Sequence, residues 1–107
     1  MSCTGVPEDE DEIARAFAAY NYPNPFNPRT TIAYTVPSPG GQVRITIYDL
    51  AGRLVRTLVD NAKADGEYTV TWRGLDDRGR EIASGVYFYR VEIGQDYRAQ
   101  RKMILLR

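Results

Sequence analysis

A chain of 107 residues has room for one domain and little more. Its 43% hydrophobic and 26% charged residues are the balance of a globular fold and exclude wholesale disorder. Lysine plus arginine equals aspartate plus glutamate, so the basic excess that suits nucleic acid or an anionic membrane is missing, and no apolar run approaches the ~20 residues that span a bilayer.

The missing residue types narrow the chemistry further. There is no histidine, so the commonest general base and imidazole metal ligands are both absent. Cys3 is the sole cysteine, which excludes an internal disulfide and a thiolate zinc cluster. Ser2, Ser38 and Ser84 are the only serines, and none sits in a G-x-S-x-G setting. The expectation is a non-catalytic protein with no cofactor and no bound metal. Met1 to Gly5 lacks the apolar core of a secretion signal, so no signal peptide is read in this chain.

In chain order, residues 1–19 read as an acidic N-terminal linker or short helix. Glu8 to Glu12 is almost wholly acidic, and Ile13, Phe17 and Tyr20 then follow at i, i+4 and i+7. An extra edge strand is the competing reading of that stretch. Tyr22, Pro23, Asn24, Pro25, Phe26, Asn27 and Pro28 form a block in which the prolines forbid a helix and the asparagines favour compact turns. It is expected to be a rigid structural cap, with Tyr22 and Phe26 plugging the end of a core.

From Thr30 the period is two. Ile32, Tyr34 and Val36 share one face, as do Val43, Ile45 and Ile47. Asp49 to Arg53 is a hairpin connection with Gly52 free to take positive φ. Leu54 to Val59 is the next strand, Asp60 to Gly66 a polar loop, and Tyr68, Val70 and Trp72 alternate after it. Trp72, the lone tryptophan, is the natural core anchor. Arg73 to Arg80 is turn-rich surface loop, Glu81 to Ala83 pairs at most briefly, and Val86 to Ile93 is the strongest strand. Gly94 to Asp96 turns into a final strand, Tyr97 to Leu106. About seven antiparallel strands over residues 20–107 define an all-β, immunoglobulin-like (fibronectin-like) β-sandwich.

Several strings within that sandwich are distinctive together: NYPNPFNPRTTIAYTVP, VRITIYDLAGRLVRTLVD, the run from Trp72 to Arg90, and the terminal RKMILLR. In this order they resemble the C-terminal sorting domain of the type IX secretion pathway, a family that overlaps with the immunoglobulin-like domain of the flagellar hook-capping protein. The resemblance covers about Tyr20 to Arg107. It implies a module recognised by outer-membrane secretion machinery, which exports a cargo fused N-terminally from a Gram-negative periplasm to the cell surface or medium. In many members a sortase-like peptidase then removes the module. Gly85 and Tyr87 match the family's Gly-x-Tyr motif, Lys102 its lysine in the last strand, and Pro23 to Pro28 its leading motif. An excised domain, or a small subunit that kept the module, is the expectation for the chain itself.

Structural alternatives stand beside those roles. Met103, Ile104, Leu105 and Leu106 are apolar in succession: either both faces of the strand are covered, or it is a hydrophobic edge for a receptor strand, flanked by Lys102 and Arg107 as orienting charges. Gly85 and Tyr87 also suit a sandwich corner. Calcium at Asp76 and Asp77, or at Asp60 and Asp65, is disfavoured against plain turn formation. Two further functions remain open: a structural scaffold that bridges subunits, and a carbohydrate-binding strip built from Tyr34, Tyr48, Tyr68, Tyr87, Tyr89 and Tyr97.

Overall fold

The computed structural model describes residues 18–107. They form seven strands: β1 (Ala19–Tyr22), β2 (Thr30–Val36), β3 (Gly41–Asp49), β4 (Leu54–Lys63), β5 (Gly66–Trp72), β6 (Gly85–Ile93) and β7 (Tyr97–Leu105). A three-stranded sheet in the order β1-β2-β5 faces a four-stranded sheet in the order β4-β3-β6-β7, and every pairing within them is antiparallel. The fold is the expected sandwich.

Alternation makes the core. Ile32, Tyr34 and Val36 from β2 meet Val43, Ile45 and Ile47 from β3, with Tyr89, Val91 and Ile93 beside them on β6. All are buried, and their sequence neighbours are at least partly exposed apart from Ala33, Pro37 and Thr46. Trp72 closes one end: its indole N–H donates to the Leu75 carbonyl at 2.9 Å, so its polar handle is satisfied while the rings are buried. Thr46 is the exception to a satisfied interior, because its hydroxyl is buried with no partner among the described residues.

Three expectations need correction. First, β4 does not stop at Val59; it runs on to Lys63, and only Ala64 and Asp65 separate it from β5. Polar residues 60–63 read as loop, but β4 is an edge strand whose side chains can face water, so polarity does not end it. A register shift against β3 at Ile45/Thr46 leaves Leu58 unpaired, so the adjacent Leu58 and Val59 both pack against the core; a second, at Ile47/Tyr48, does the same for Val55. Second, of the two readings of the stretch that ends at Tyr20, the edge strand and not the helix holds over Ala19–Tyr22: Ala19 pairs with Tyr34, and the Thr35 amide donates to the Ala18 carbonyl. The rest of the proposed helix, the acidic run and Cys3 lie outside the described residues. Third, Tyr22 does not plug the core. It is 50% exposed, whereas Phe26 is 2% exposed.

Candidate functional site

The block from Pro23 to Pro28 lies along the outer edge of β7. Proline supplies no amide and disfavours a regular ladder, so the connection is made by Asn24 and Phe26 alone. The Asn24 side chain imitates a peptide group: its Nδ2 donates to the Lys102 carbonyl at 3.3 Å and its Oδ1 accepts from the Ile104 amide at 3.0 Å. The Phe26 amide donates to the Ile104 carbonyl at 2.9 Å, and the Leu106 amide to the Phe26 carbonyl at 2.8 Å. Phe26 thus forms a parallel bridge with Leu105. Its ring packs 5.6 Å from Trp72, which stands edge-on to Tyr87 at 5.8 Å. Pro23, Pro25, Asn27 and Pro28 remain exposed.

Of the two readings of the last strand, this geometry disfavours the open hydrophobic edge. Along Lys102 to Leu106 the edge groups of β7 are already occupied by the chain's own leading block. Met103 and Leu105 are fully buried in the core, Ile104 is half-buried opposite Val86, and Leu106 is 51% exposed. Lys102 is exposed on the outer face, across from Phe88.

Gly85 and Tyr87 pair with Leu105 and Met103, which brings them to the same end. The Tyr87 hydroxyl donates to the Ala83 carbonyl at 2.7 Å, the bond of a sandwich corner. Burial raises the Tyr87 phenol above its usual range, helped by the nearby Asp49 charge. Arg107 is a staple rather than a free charge. Its amide donates to Ser84 Oγ at 2.8 Å, and its guanidinium donates to the Gly74 carbonyl at 2.6 Å and to the Ile82 carbonyl. Glu81 stands 3.7 Å away. Gly74 has φ 71°, in the left-handed region, and a Cβ there would lie 2.8 Å from the Arg107 guanidinium and force it to shift.

Beside this end stand two turns of the same pattern, D-x-x-G-R, at Asp49 to Arg53 and Asp76 to Arg80. Asp49 Oδ1 accepts the Ala51 and Arg53 amides, and its Oδ2 accepts Arg53 Nε at 3.0 Å. Asp76 repeats this with Arg78 and Arg80. The backbone bonds from Arg53 and Arg80, reinforced by their guanidinium groups, hold both carboxyls below the usual carboxylate range. Asp77 Oδ1 accepts the Thr57 amide at 3.0 Å, which covers the free edge of β4. These carboxylates are engaged in turns. Among the described residues no group of three or more ligating side chains could hold a metal. Asp60 accepts from Gln42 at 3.0 Å instead.

Sequence reasoning missed the strand-mimicking role of Asn24 and the staple made by Arg107. It also missed the twin turns, although the repeated D-x-x-G-R pattern was there to find. The expected tyrosine strip is dispersed. Tyr34, Tyr87 and Tyr89 are buried, and burial pushes the Tyr89 phenol up to about 12. Tyr48 lies under Arg90, whose guanidinium carbon is 4.8 Å from the ring centroid.

A three-over-four sandwich with a tyrosine corner and a tryptophan-sealed end defines an immunoglobulin-like domain. A family model, the FlgD Ig-like domain, matches residues 27–96, and the chain belongs to that family. The match stops before β7. No curated protein matches the chain. Among solved structures it is similar to latent, dimeric PorU from Porphyromonas gingivalis, with 23% identity over 82% of this chain and a TM-score of 0.68. PorZ from the same organism aligns at 24% identity over 84%, with a TM-score of 0.60. FlgD from Xanthomonas campestris aligns at 25% identity over 83%, with a TM-score of 0.54. The chain spans 9%, 12% and 61% of those three proteins, respectively.

Proposed function

We propose that the domain is a non-catalytic sorting module, recognised by type IX secretion machinery so that a cargo joined ahead of it reaches the cell surface. The observation that carries this is convergence. Pro23–Pro28, Gly85–Tyr87 and Lys102–Arg107 are far apart in sequence, yet they form one continuous patch at one end of the sandwich. These are the three motifs matched to the sorting family. The likeness to PorZ, described as an essential bacterial surface component of the type IX secretion system, is consistent with such a context. Because the amides around Ile104 are spent internally, recognition falls to exposed side chains: Lys102, Leu106, Pro25 and Pro28. Strand addition at Lys102–Leu106 is not required.

The test fuses residues 1–107 behind a fluorescent cargo with a periplasmic signal, in a host that has the machinery. The cargo reaches the surface, and Lys102→Glu with Leu106→Asp lowers export while leaving thermal stability unchanged. Cargo that stays periplasmic behind a folded domain, or export indifferent to both substitutions, overturns the proposal. Deleting the last strand is a poorer test, because Met103 and Leu105 are core residues.

The family assignment favours a second reading, a scaffold that joins protein subunits. FlgD of X. campestris is described in terms of hook capping essential for flagellar assembly. A stable oligomer of the purified chain by light scattering supports this reading, and a monomer favours the tag.

A further inference from the structure

The outer face of the three-stranded sheet has a composition that neither reading uses. Outward positions on β1 are Tyr20 and Tyr22; on β2 they are Thr31, Ala33 and Thr35; on β5 they are Glu67, Thr69 and Thr71. The register sets them in rows: Tyr20 beside Ala33 and Thr69, Tyr22 beside Thr31 and Thr71, and Thr35 beside Glu67. Short side chains therefore make a low floor, and two phenol rings stand along its edge.

Those two rings are 59% and 50% exposed, their centroids are 5.8 Å apart, and their planes differ by 31°. They form one nearly continuous aromatic wall. A depression of about 220 Å³ runs from it across Ala33 and Thr35 to Thr69 and Glu67. Its lining holds one carboxylate and no cation.

We infer that this face is a binding site for a neutral oligosaccharide. The C–H face of a pyranose ring is apolar and weakly positive, which suits the negative face of an aromatic ring. Its hydroxyls need donors and acceptors at the same depth, and threonine hydroxyls with a carboxylate supply them. Nucleic acid also stacks on aromatic rings, but its phosphates need cations that this lining lacks, and Glu67 repels them. The same argument disfavours acidic glycans. The site is separate from the Phe26–Leu105 end, so it stands or falls independently of export.

The test titrates the full 15N-labelled chain with cellohexaose, laminarihexaose and mannohexaose, with heparin as the polyanion control. At least one neutral hexasaccharide shifts the amides of Tyr20, Tyr22, Ala33 and Thr69 to saturation. Tyr20→Ala and Tyr22→Ala each weaken it about tenfold, and Tyr22→Phe retains it. Both rings are exposed on an edge strand, so these variants keep the fold, which circular dichroism checks. The inference is overturned if none of the three sugars shifts those amides. Tighter binding of heparin at the same amides, or affinity indifferent to both alanine variants, overturns it equally.

Discussion

Phe26→Ala and Tyr22→Ala form a matched pair, because both residues are aromatic and only Pro23 to Pro25 separate them. Phe26 is buried against Trp72, and its main chain bridges to Leu105. Truncation removes a full aromatic side chain and leaves a cavity that the buried Trp72 and Leu105 cannot readily fill. The expected cost is about 3–5 kcal/mol. A domain of this size holds roughly 5–13 kcal/mol in total, so about a quarter or more of its stability is lost. At about 4–8 °C per kcal/mol the melting temperature falls by well over 10 °C. Tyr22 is half exposed, with its ring 5.8 Å from that of Tyr20, so Tyr22→Ala is expected to cost under about 1 kcal/mol. Urea denaturation followed by Trp72 fluorescence measures both. A Phe26→Ala cost below about 1 kcal/mol, or equal costs for the pair, refutes the account of the leading block as a plug and edge cover.

Thr46→Val removes a buried hydroxyl without a partner while keeping the shape, so stability holds or rises by up to about 1 kcal/mol; a clear loss in the same denaturation assay contradicts the orphan assignment. Gly74→Ala drives a Cβ into the Arg107 guanidinium, whereas Gly79→Ala, also at positive φ, meets open space. The first is expected to cost at least about 1 kcal/mol more than the second, and Arg107→Ala in the same chain recovers part of that difference in a double-mutant cycle. Tyr89 is held neutral by burial, with its pKa raised from 10.0 to about 12. Unfolding frees a phenol that ionises near 10, so its contribution is intact below pH 10 and is lost as pH rises toward 12. Tyr89→Phe therefore flattens the alkaline fall in stability, and an unchanged pH profile refutes that role.

The strands of the core were legible because β2, β3 and β5 largely alternate apolar and polar residues, which one buried face enforces, and because β6 is rich in β-branched and aromatic residues. What alternation reports is burial, so it failed where burial does not decide. The second half of β4 is an edge and reads as loop. Tyr22 and Phe26 look alike in a proline-rich block, and only the path of the chain over β7 separates them. The apolar run Met103 to Leu106 left a covered strand and an exposed edge both open, since nothing local says that Asn24 and Phe26 return across nearly eighty residues to cover it. Arg107 reads as a terminal charge until Gly74 and Ile82 are seen to present their carbonyls to it. For the same reason the aromatic wall at Tyr20 and Tyr22 was invisible: it depends on which face of an edge strand meets water.

β1 and β7 run in the same direction, one at the border of each sheet, with the Arg101 guanidinium donating to the Ala19 carbonyl between them. Ala19 lies beside Arg101, four residues before Leu105, so the two points are offset along the strands. A pull applied between them has a component along the strand axes. The ladder bonds lie across that axis, so this component loads them in shear. Resistance to such a pull is a rate, set by the barrier to rupture, and a pulling experiment on Ala19 and Leu105 reads it directly.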